Sequence, residues 1–123
     1  MTKERIRLGK KGEALALKKL KKLGYKCVEK NYRCALGEID LIARDGDCLV
    51  FIEIKTRKGY SIAYAKEAVD KRKMRQVSKT ALAYMKEHDC CEAKSRFDVV
   101  AVYLGRDNEE IEVIPNAFEL EYE

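Results

Sequence analysis

The chain has 123 residues, room for one compact domain over 1–123 and too little for a separate regulatory module. Apolar residues make up 46% and charged residues 38%, which excludes an intrinsically disordered chain and leaves an unusually charged surface. The net charge of +5 is unevenly placed: residues 1–33 carry 12 basic and 3 acidic side chains, 57–87 carry 9 and 3, and 107–123 carry 7 acidic and none basic, a pattern that reads either as one face meeting a polyanion and an opposite face that does not, or as ordinary solvated helix faces. The longest uninterrupted apolar run, 99–104, falls far short of a membrane span, and residues 1–11 hold no apolar signal core, so no membrane association and a cytoplasmic location are expected. Five cysteines without a Cys-x-x-Cys pair, and one histidine, His88, argue against a disulfide framework and a zinc site.

In chain order, the periodicity predicts a helix over 3–23 with Gly24 as its C-terminal cap. A short strand follows over 27–33, and 37–44 forms a second, alternating Glu38 and Asp40 against Ile39 and Leu41. Asp45-Gly46-Asp47 is a hairpin signal, leading to a third strand over 48–56 that pairs antiparallel with the second. A loop holding Gly59 and Ser61 precedes a second helix over 66–87. Strands over 96–104 and 110–114 follow, separated by Gly105-Arg106-Asp107-Asn108. The order αβββαββ gives an α/β or α+β sandwich with helices against a mixed sheet.

The first group with chemistry in it is Asp40 with Glu53-Ile54-Lys55. Side chains two apart in a strand share a face, so Glu53 and Lys55 point one way and Ile52 and Ile54 the other. Across the hairpin, Asp40 can meet them. Glu53 follows Leu49-Val50-Phe51-Ile52, an apolar run expected of an interior strand, where a charge is costly unless paired or metal-bound. Two carboxylates beside an ammonium make a hard-cation site, with oxygen ligands for Mg²⁺ and a lysine to hold or help deprotonate an attacking water. The same residues also read as a cross-strand salt bridge at a sheet edge. An acid-x-lysine triplet alone carries little, since this composition yields about three by chance, and Glu92-Ala93-Lys94 is one of them.

Glu13 falls between Ala16, Leu17 and Leu20 on the core stripe of the first helix at about 100° per residue. A carboxylate there needs a cation or a basic side chain as partner, unless the first turn frays and exposes it. Gly9 and Gly12 beside it would let a substrate backbone approach closely. On the second helix, Lys73 shares the packing face with Val77, Ala81 and Tyr84, while Lys71, Arg72 and Arg75 spread outward. Lys73 suits a phosphate, with Gln76 as a neutral donor nearby, and equally suits ordinary snorkelling. Arg33 and Arg57 stand at strand ends beside the acids, placed for bidentate phosphate contact or, for Arg33, for pairing with Glu38.

Gly12-Glu13, Asn31-x-Arg33, Gly37-Glu38-Ile39-Asp40-Leu41-Ile42-Ala43, Phe51-Ile52-Glu53-Ile54-Lys55-Thr56-Arg57, Arg96-Phe97-Asp98-Val99-Val100 and Asn116-Ala117-Phe118 occur in that order over nearly the whole chain. Together they resemble the YraN family of small bacterial proteins, placed in the PD-(D/E)XK nuclease superfamily beside archaeal Holliday-junction resolvases. The resemblance implies an α/β, restriction-endonuclease-like core, a mixed five-stranded sheet flanked by two main helices. It implies an Mg²⁺- or Mn²⁺-dependent DNA endonuclease in which Asp40 and Glu53 bind metal and Lys55 is the catalytic lysine. Glu13 would match the first-helix glutamate that resolvase-like members add, assisting through a metal-bound water, and the Ile54 carbonyl would complete the metal's protein ligands. Arg33, Arg57, Lys73 and Gln76 would contact the nucleic acid, expected to be branched or single-stranded DNA in repair or recombination. A homodimer would suit symmetric cutting of a junction. Two departures stand out: Lys73 is followed by Met74 where the family often has glutamine, and no proline precedes Asp40. A nuclease-fold protein that binds such DNA without cutting it is the alternative, and a third reading makes the acids of 119–123 a protein-interaction segment.

Overall fold

Gly24 closes the first helix, α1 (Lys3–Lys22), in the computed structural model, which describes residues 3–58 and 71–118. At φ 95° it lets the Tyr25 amide reach back to the Leu20 carbonyl at 3.0 Å while its own amide meets the Lys21 carbonyl at 3.1 Å. This is a Schellman ending, which seats its flanking apolar pair, Leu20 and Tyr25, together in the core. The chain continues through β1 (Lys26–Cys34), β2 (Gly37–Asp45), β3 (Cys48–Lys58), α2 (Lys71–Glu87), β4 (Ser95–Leu104) and β5 (Glu109–Phe118). Asp45 pairs with Cys48 around Gly46-Asp47, and of the two loop residues Gly46 alone has positive φ, the pattern of a type II′ hairpin.

The strands stand side by side in chain order. β1, β2 and β3 form an antiparallel meander, β4 lies parallel to β3, and β5 is antiparallel to β4. The fold is α/β with a five-stranded mixed sheet and the order αβββαββ, consistent with a restriction-endonuclease-like core. Each face of the sheet carries its own apolar layer. Leu41, Val50, Ile52 and Val100 pack with Ala16 and Leu20 of α1. Ile42, Phe51 and Phe97 pack with Val77, Ala81 and Tyr84 of α2. A strand covered on both faces has no polar side to alternate with, which is why β3 and β4 read as near-continuous apolar runs. No helix among the described residues is long and apolar enough to cross a membrane.

The expected loop at Gly59 and Ser61, the first turn of the expected second helix (66–70) and the acidic tail 119–123 lie outside the described residues. The last strand runs past its expected end at Ile114 to Phe118, straight through Pro115. A proline cannot donate to a ladder, but β5 is an edge strand and has a free side. The chain then slips register, Val99 facing Ile114 and Phe97 facing Phe118. Asp98, fully buried, fills that irregularity. Its carboxylate accepts the Asn116 amide at 2.9 Å, the Tyr25 hydroxyl at 2.7 Å and the Arg96 guanidinium at 2.9 and 3.1 Å. Arg96 also donates to Asp45 at 2.7 Å. Burial, and then the Asp98 bond, pushes the Tyr25 hydroxyl up to about 12, so it remains a donor throughout the working pH range.

Asp98→Ala should therefore leave the Tyr25 hydroxyl and the Asn116 amide without their acceptor and Arg96 with Asp45 as its remaining carboxylate, costing about 2–4 kcal/mol and lowering Tm by more than about 5 °C. Tyr25→Phe removes one bond and should cost about 1 kcal/mol. Thermal unfolding followed by circular dichroism measures both, and equally small shifts would mean that this network does not support the fold.

Candidate active site

β2 and β3 stay paired from Asp45–Cys48 to Leu41–Ile52 and then part, whereas β3 remains paired with β4 as far as Lys58 and Leu104. Beyond the parting point an amide of β3 turned towards β2 has no carbonyl to meet, and an amide in that position must find an acceptor. Asp40 provides it, with Oδ2 accepting the Ile54 N–H at 2.8 Å. A side chain thus replaces a rung of the ladder and fixes the carboxylate in the fork.

Alternation along β3 sends Glu53 and Lys55 to the α2 side with Phe51, and Ile54 to the α1 side. Glu53 is 6% exposed, and two lysines attend its Oε1, Lys55 at 3.6 Å and Lys73 from α2 at 3.7 Å. Burial raises the Asp40 carboxyl, against the pull of the Ile54 amide, Lys73 and Lys55. Burial also raises Glu53, and with the charge of Asp40 pushes it up to about 7 in spite of the two lysines. Glu13 approaches the same fork from the other face, half-buried, its carboxyl raised by burial and then by Asp40, with Lys30 and Lys10 acting the other way. α1 comes this close because Gly12 has no side chain: a Cβ there would lie 2.8 Å from Cγ2 and 2.9 Å from Cβ of Thr56. Glu13, Asp40, Ile54, Lys55 and Arg57 line the resulting cleft of about 590 Å³.

Asp40, Glu53 and Lys55 thus come together as the sequence predicts, although Asp40 reaches β3 past the end of the ladder. Glu13 stands across the fork. Among the described residues, no three His, Cys, Asp or Glu side chains converge closely enough to cage an ion. Two mutually repelling carboxylates remain, a donor set that fits a small hard cation keeping several of its own waters. Arg57 is in the cleft, its Nη1 donating to the Thr56 carbonyl at 3.0 Å. Arg33 and Gln76 lie elsewhere, around a hollow of about 300 Å³ beside Gly37, and Lys73 stands between the two places, lining that hollow while its ammonium reaches Glu53. There Arg33 pairs with Glu38 at 3.1 Å, both largely exposed. Sequence reasoning saw Lys73 on the buried stripe but missed Glu53 as its partner. It also missed Thr56 as the surface on which α1 rests, although alternation from Ile54 places Thr56 on that face.

The profile described as "Uncharacterised protein family UPF0102" matches residues 12–102. The chain belongs to the UPF0102 family. It is 45% identical to the UPF0102 protein of Geobacter metallireducens over 94% of both chains. With the UPF0102 protein of Geotalea uraniireducens the identity is 47%, over 94% of this chain and 91% of that one. With the Moorella thermoacetica UPF0102 protein it is 42%, over 96% and 100%. The resemblance to the YraN family read from the motifs is thereby borne out. The UPF0102 match contains Gly12, both sides of the fork and the whole of α2.

Glu53 keeps its proton up to about 7 in the fold and only to about 4.5 when unfolded. Its contribution to stability is therefore complete below the unfolded value and lost as pH rises through the folded one. The protein should melt several degrees higher near pH 5.5 than near pH 8, and Glu53→Gln should flatten that difference. A pH dependence identical in both proteins contradicts the assignment. Gly12→Ala should cost about 1–3 kcal/mol by overpacking, even though alanine is the better helix former. A more stable variant in a denaturant titration would mean that α1 does not rest on Thr56.

Proposed function

We propose that the protein is a divalent-metal-dependent DNA endonuclease that hydrolyses phosphodiester bonds at the fork between β2 and β3, in the cytoplasm. The supporting observation is the buried Glu53 carboxylate beside Asp40, with Lys55 on the same face and an open cleft in front. Asp40 lies close enough to Glu53 to help push it towards neutrality in spite of two lysines, and carboxyl groups perturbed in this way by burial and a like charge cluster at functional sites.

Asp40, Glu53 and the Ile54 carbonyl would hold Mg²⁺ or Mn²⁺, with Glu13 in contact through water. When bound, the ion neutralises phosphate charge and acidifies a water. Lys55 orients the attacking water and stabilises the charge that builds on the phosphate oxygens. Arg57, on the same wall, clamps a neighbouring phosphate through its planar fork of donors. Glu13, with its proton affinity raised, accepts and returns a proton through an intervening water. The two basic segments supply sequence-independent attraction to the backbone.

One observation favours the alternative of a module that binds without cutting: Lys55 and Lys73 already balance the Glu53 charge. Cleavage of end-labelled single-stranded, flapped, duplex and four-way-junction DNA separates the two, with Mg²⁺, with Mn²⁺ and with EDTA. Metal-dependent products are expected, reduced at least about 100-fold in Lys55→Ala, Asp40→Ala and Glu53→Ala. DNA that is bound but uncut with every metal, or products unchanged in all three variants, would overturn the nuclease assignment.

A further inference from the structure

Arg72, Arg75 and Lys79 fall on one stripe of α2 at spacings of three and four residues, with Gln76 beside them. No acid occurs from Lys71 to Lys79. Like charges so placed weaken a helix, and interleaved acids would relieve the repulsion. The three exposed cations form one wall of a groove of about 560 Å³ whose other wall is Ala35-Leu36, the tip of the β1–β2 turn. Leu36 is 53% exposed, a large apolar side chain held out into solvent opposite a row of cations. The tip is not free to move away: a Cβ on the next residue, Gly37, would lie 2.8 Å from Thr80 Oγ1 and 2.9 Å from Gln76 Cγ, so the turn is seated against α2. Lys73 also lines the groove and touches Glu53, which joins the groove to the reactive fork.

A stripe seven residues long spans about 10 Å, enough, with the reach of the long basic side chains, to meet two to three consecutive phosphates of one strand. Cations that hold a backbone, facing an apolar tip that can lie against a base, match the way proteins grip nucleic acid where stacking is interrupted. We infer that this groove recognises the point at which a DNA duplex opens into a single strand. Arg72, Arg75 and Lys79 grip the phosphates of one strand, Leu36 covers the last base pair, and the strand passes Lys73 on its way to the fork. The direction of that path rests on the proposed nuclease activity; the binding itself does not.

The test is fluorescence anisotropy in EDTA, with a single strand, a blunt duplex and a forked duplex sharing one sequence, over a range of salt. The fork should bind most tightly. Arg72→Gln/Arg75→Gln/Lys79→Gln should weaken all three DNAs about 10- to 100-fold near 0.1 M salt and lower the salt slope by about 2–3. Leu36→Ala should weaken the fork about fivefold and leave the single strand within about twofold, with Leu36→Phe restoring the preference. Equal affinity of the natural protein for all three DNAs would overturn the inference, as would a tighter grip on RNA of the same shape. Fork-selective binding with no cleavage in any metal would support the groove and remove the nuclease assignment. Metal-dependent cutting with a fork preference indifferent to Leu36 and the three cations would do the reverse.

Discussion

One backbone amide, that of Ile54, organises the reactive end of this molecule. β3 must stay paired with β4 through Lys58 while β2 turns away after Leu41, and the amide left at the parting needs an acceptor. Asp40 meets that need with one carboxylate oxygen, so a requirement of sheet formation fixes the position of a group with chemical uses. The opening of the sheet and the placing of its first acid are therefore one event. With β2 gone from this edge, α1 can bring Glu13 in from one face and α2 can bring Lys73 in from the other.

The electrostatics of the fork follow from that crowding. Glu53 lies behind the cleft wall with two ammonium groups at 3.6 and 3.7 Å, separations of ion pairs rather than of close hydrogen bonds. Both lysines are partly exposed, 22% and 26%, so each balances the acid while part of its surface faces solvent. On the next strand, level with Ile52 where the β2–β3 ladder ends, every donor around Asp98 is within 3.1 Å. A tightly bonded network thus stands directly beside a loosely paired one, which is how a scaffold holds a site while leaving room for a ligand.

Much of this was legible in the sequence, for local reasons. Gly24 and the Asp45-Gly46-Asp47 turn announce a helix end and a hairpin because only particular residues adopt those backbone angles. The acid pair stood out because Glu53 interrupts an apolar run. What stayed hidden depends on partners distant in the chain. Pro115 reads as the end of a strand until β5 proves to be an edge, and the slip after it is held by a carboxylate from β4. Arg96 and Asp98 entered the sequence reading only as part of a familiar motif; their work is to tie α1, the β2–β3 hairpin and β5 together. Lys73 finds Glu53, and Glu13 stands opposite it, for tertiary reasons that no periodicity encodes.

The contact between Gly12 and Thr56 sets the spacing between helix and sheet by the absence of a single carbon. Because that hypothetical carbon meets the Cβ of Thr56 as well as its branches, trimming Thr56 to serine or alanine does not make room for it. A side chain fits at position 12 without overpacking only if position 56 gives up its own, with glycine moving from the helix to the strand. The two positions are one shared vacancy, and the width of the cleft is inherited through both together or not at all.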